Sequence, residues 1–77
     1  MNANYTTQEV STADLRRGDL ILDAHTGLIY EVLTVERDHG FPGAWTGLTV
    51  YPLRGGLREQ SNLICPPGTT QQKVTLL

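Results

Sequence analysis

The chain has 77 residues, six of them Lys or Arg against eight Asp or Glu, for a net charge of −2. That length holds one small domain and excludes the large catalytic folds. Its one cysteine, Cys65, excludes an internal disulfide, and together with His25 and His39 it falls short of the four ligands of a structural zinc site.

The charge balance exerts no overall pull toward nucleic acid or an anionic membrane. No apolar run approaches the roughly 18 residues of a membrane span. The start of the chain, Met1 to Gln8, has neither a basic region nor an apolar one of the kind that directs secretion. The expectation is a cytoplasmic protein with a reduced thiol, no cofactor and no metal.

In chain order, Tyr5 to Val10 is polar but β-permissive, and residues 1–10 read as an arm or edge strand. Ser11 with Asp14 three residues on has the form of a capping box. Arg17-Gly18-Asp19 follows at once, so one helical turn is expected, anchored by Leu15. Leu20 to Asp23 reads as a strand. Ala24-His25-Thr26-Gly27 reads as a tight connection, with Gly27 placed for positive φ. Leu28 to Glu36 is the longest strand, rich in β-branched and aromatic residues. Arg37 to Gly43 forms the main loop, with Phe41 at its centre.

Trp45 to Leu53 returns as a strand. Alternation sends Leu48, Val50 and Pro52 to one side and Thr49, Tyr51 and Leu53 to the other. Gly47 is a candidate bulge, and Pro52 points to a sheet edge. Arg54 to Leu57 is a hairpin turn, Arg58 to Ile64 a further strand, and Cys65-Pro66-Pro67-Gly68 its end. Lys73 to Leu77 closes the chain as a short strand that pairs with the first. Five to six short strands and one helical turn predict an all-β fold, closed as a small barrel or as paired hairpins.

The run Leu15-Arg16-Arg17-Gly18-Asp19-Leu20-Ile21-Leu22-Asp23, then Gly27, then Tyr30-Glu31-Val32, resembles the opening of SH3-like small barrels of KOW and Tudor type. The resemblance spans residues 15–36. It implies a small SH3-like barrel over the single domain 1–77 and leaves the ligand open. The basic and aromatic residues of nucleic-acid-binding members are sparse here, and no paired aromatic cage for methyl-lysine is recognisable.

Several small motifs carry chemistry elsewhere. Arg17-Gly18-Asp19 spells the integrin tripeptide and is read here as a turn. Asn4-Tyr5-Thr6 is a glycosylation sequon, relevant only to a secreted chain. Cys65 lacks the helix N-terminus that would activate a thiolate, so no catalytic residue is assigned. Asp23 with His25, and Asp38 with His39, are read as turn formers rather than metal ligands.

Two surfaces remain. Phe41, Trp45, Tyr51 and Leu53 combine an aromatic loop with a sheet face, the form in which small barrels commonly bind protein. Arg16, Arg17, Arg54 and Arg58 make a local basic patch if their turns meet, interleaved with Asp14, Asp19 and Glu59. The expected function is therefore a non-enzymatic interaction module for a protein partner or for a second copy, of a kind that phages and other mobile elements encode. A nucleic-acid-binding barrel using the arginines is the alternative. The expected edges for self-association are Tyr5–Val10 and Val74–Leu77.

Overall fold

The computed structural model describes residues 4–37, 45–53 and 59–77. Six strands follow in order: β1 (Tyr5–Ser11), β2 (Leu20–Leu22), β3 (Ile29–Arg37), β4 (Thr46–Pro52), β5 (Ser61–Cys65) and β6 (Thr70–Leu76). A single 3-10 turn, Thr12–Asp14, joins β1 to the segment before β2, and the described residues hold no α-helix. All pairings are antiparallel, in the order β1-β6-β2-β3-β4-β5.

That order forces the sheet to curl. β5 and β6 are consecutive in the chain yet four strand spacings apart, with β2, β3 and β4 between them. In a flat sheet the gap would be about 19 Å. Only residues 66–69 bridge it, and they fold back on themselves, the Thr69 N–H donating to the Pro66 carbonyl at 3.3 Å. Gly68 makes that turn at a φ of 84°, a conformation that costs glycine little. The result is a half-barrel with all-β architecture.

The concave face carries the core. Ile21, Val32, Leu48, Val50 and Cys65 pack around Leu15, which is fully buried, with Val10, Tyr30 and Val35 against them. Alternation places Thr46, Leu48, Val50 and Pro52 of β4 on this face, with Ser61, Leu63 and Cys65 across from the first three. β3 would lose the alternation without a bulge. Its register shifts between Val32 and Thr34, so Val32 and Val35 both face inward.

Several expectations need correction. The bulge lies in β3 at Leu33, and Gly47 pairs in regular register with Glu36. Ser11 makes no side-chain capping bond, because the turn stops at Asp14 and Leu15 is already extended (φ −70°, ψ 151°). Pro52 belongs to an interior strand. Its missing N–H is tolerated because β5 ends opposite Val50 and does not reach it. Val74–Leu76 lies in β6, which β1 flanks along its whole length and β2 flanks at Gln72–Val74. The two edge strands are β1 and β5.

A cation ties the 3-10 segment to β3. The Arg37 guanidinium donates from Nε to the Ala13 carbonyl and from a terminal nitrogen to the Leu15 carbonyl, both at 2.8 Å. Leu15 is thereby held over the open side of the half-barrel.

Candidate functional site

Small polar side chains close the seam of the half-barrel at one end. The Thr12 N–H donates to the Thr69 carbonyl at 3.0 Å, and the two hydroxyls lie 3.1 Å apart. The Gln71 side-chain amide reaches the Thr12 hydroxyl at 3.4 Å and the Cys65 Sγ at 3.9 Å. Burial pushes the Cys65 thiol up from its ordinary pKa, against the opposing pull of hydrogen bonds from Thr12 and Thr69. A thiol protonated at neutral pH is a poor nucleophile, and Cys65 serves as a small apolar core residue.

At the other end the seam opens into a groove of about 530 Å³. Ile21, Tyr30, Val50 and Leu63 line it from the concave face, together with Leu22, Asp23 and Gln72. Asp23 is committed to its own turn, its carboxylate accepting the His25 N–H at 2.9 Å.

The convex face carries Tyr51 and Leu53, as alternation along β4 requires. Register builds two rows across it. In one, Tyr51 stands opposite Glu31, Glu31 opposite Leu20, and Leu20 opposite Val74. In the other, the Leu53 N–H donates to the Ile29 carbonyl at 2.8 Å, and Ile29 stands opposite Leu22. Leu20, Leu22, Ile29, Tyr51 and Leu53 are all half-buried. The 3-10 turn is the one described element outside the sheet, and its neighbour Leu15 packs on the concave side. Val74, at the end of the first row, is buried at 5% exposure, whereas Leu20, Leu22, Ile29, Tyr51 and Leu53 keep part of their surface exposed.

The other members of the proposed set separate from this patch. Trp45 is half-buried just before β4, six residues from Tyr51, about 20 Å along an extended chain. Phe41 lies outside the described residues. Leu20, Leu22 and Ile29 were absent from the sequence-based set, although alternation from Ile21 would have found the first two.

Of the four arginines, Arg54 and Arg58 lie outside the described residues, and Arg16 and Arg17 are exposed. The Arg16 N–H donates to the Asp19 carboxylate at 2.9 Å, and Lys73 lies 3.7 Å from its other oxygen. Asp19 is thus occupied within the fold rather than presented, and Gly18, at a φ of 92°, turns the chain so that its N–H reaches the Val32 carbonyl at 2.8 Å. The integrin tripeptide is built into the sheet margin. Among the described residues no three His, Cys, Asp or Glu side chains converge as metal ligands. No described helix is long and apolar enough to cross a membrane.

No family model, curated protein or solved structure matches the chain.

Proposed function

We propose that this chain is a non-enzymatic interaction module that takes a protein partner on the convex face of its sheet. The observation that carries the reading is the row Leu22, Ile29 and Leu53, beside Leu20 and Tyr51. These side chains lie on the face opposite the main core cluster and keep part of their apolar surface exposed, which leaves area for a partner to cover. Tyr51 adds an amphipathic ring of the type enriched in binding hot spots. The outline shared with SH3-like barrels over residues 15–36 is compatible with such a scaffold role. Trp45 extends the same proposal to the opposite end of β4, and Phe41, outside the described residues, stays in it from the sequence alone.

Affinity isolation with the tagged chain and with Leu53→Lys tests it. Proteins retained by the wild type are expected to be lost from the variant, with far-UV circular dichroism unchanged. Equal retention would move the interface elsewhere. The nucleic-acid reading has its own outcome in the same preparation. Binding to oligonucleotides that weakens steeply with salt and disappears in Arg16→Ala/Arg17→Ala would favour it over the protein partner.

A further inference from the structure

The two edges of the sheet differ in chemistry. β1 carries Glu9 and a run of exposed polar side chains from Thr6, a composition that discourages strand addition. β5 reads Ser61-Asn62-Leu63-Ile64-Cys65, with no charge, no proline and no bulge. Among the described residues it is paired on the β4 side alone. Leu63 is 37% exposed and Ile64 47% exposed, one on each face of the strand. Charge, proline and bulge, three devices that blunt an edge, are missing from β5, while β1 carries the charge of Glu9.

We propose that β5 is a dimerisation edge, at which a second copy of this chain adds antiparallel to Ser61–Cys65 about a two-fold axis at Leu63. Three features select a second copy as the occupant. An uncharged strand meets no like charge when it pairs with itself. The axis at Leu63 sets Leu63 against its counterpart and Ile64 against Asn62, so both exposed apolar side chains gain cover. Such an interface is isologous and closes at two copies, because each chain offers one such edge. This inference rests on the reading of the chain as an interaction module but uses a different surface, the outer edge of β5, whereas Leu53 lies past Val50, the last residue of β4 that β5 pairs.

A pair of five-residue strands buries less than the roughly 1,200 Å² of a stable interface, so the dimer dissociates in the micromolar-to-millimolar range. Sedimentation equilibrium over that range tests it. The wild-type mass is expected to rise with concentration from 8.5 kDa toward twice that value. Ile64→Lys and Ile64→Glu alone are each expected to remain single chains, while their equimolar mixture associates, because diagonal neighbours across the axis then carry opposite charges. A wild type that stays at one chain mass at every concentration overturns the dimer, whether or not either variant folds. So does an Ile64→Lys chain as heavy as the wild type, or a mixture no heavier than its components. Leu53→Lys is expected to dimerise normally, so loss of partner capture and loss of dimer remain separable.

Discussion

Leu15→Ala is expected to lower the folding free energy by about 3–4 kcal/mol, the middle of the range for truncating a buried leucine. Leu15 is fully buried and contacts a core drawn from four strands, β2 to β5. It is also the one core side chain that lies outside the sheet, so the strands cannot readily close over the space it leaves. A domain of this length has roughly 4–12 kcal/mol of stability at about 0.05–0.15 kcal/mol per residue. The substitution therefore removes a large share of the total and lowers Tm by about 15–25 °C. Leu76→Ala is the control, since Leu76 is 54% exposed and its truncation belongs to the small surface class, within about 0.5 kcal/mol. Thermal and urea denaturation check both. A Leu15→Ala loss under about 1 kcal/mol would mean that the concave face packs without its plug.

The second large effect is expected at Arg37. Arg37→Met keeps the side-chain stem but removes two charge-assisted hydrogen bonds to the Ala13 and Leu15 carbonyls. Such bonds contribute about 1.5–3 kcal/mol each in favourable settings. The bond to Ala13 is exposed and the bond to Leu15 is partly buried, so water replaces part of what is lost. The expected cost is about 2 kcal/mol. Arg37→Lys should recover less than half of it, because one ammonium lacks the fork that spans two carbonyls. Arg37 and Leu15 act on the same segment, so the double variant should cost less than the sum of the single ones. Urea denaturation of the four chains measures that coupling. Strict additivity would mean that the guanidinium and the leucine hold the segment independently.

What the sequence shows of this fold follows from where burial is one-sided. β2, β3 and β4 stand out because most of their inward positions are apolar and no interior proline interrupts them. The sides taken by Val50 and Tyr51 follow from alternation alone, and the convex location of Tyr51 and Leu53 was legible in the same way. β6 hides its first half, because its inward positions Gln71 and Lys73 are polar. Gln71 is spent on Thr12 and Cys65, and Lys73 pairs with Asp19. A strand inside the sheet thus reads as a loop followed by a short tail. Leu33 gives no sign of its bulge, since a leucine suits either face of the sheet. Arg37 gives no sign of its role either, because its carbonyl partners lie more than 20 residues away.

The candidate site divides along the same line. Tyr51 and Leu53 are one patch because register brings Leu20, Leu22 and Ile29 beside them. Trp45 shares their parity but stands just before the other end of β4, and spacing along a sequence does not show that distance as separation. The groove between β5 and the β2–β6 side arises from curling, which only the connection through residues 66–69 dictates. The β5 edge was likewise hidden, because which strand lies outermost depends on strand order and not on the strand itself.

The claim that the convex face takes a protein is tested most directly by site-specific photo-crosslinking. A benzophenone side chain placed at position 53, and separately at position 17, is irradiated in extract of the cells from which the chain comes. The account predicts a discrete protein adduct at position 53 and none at position 17. Adducts that form only at position 17, and that nuclease removes, would contradict it.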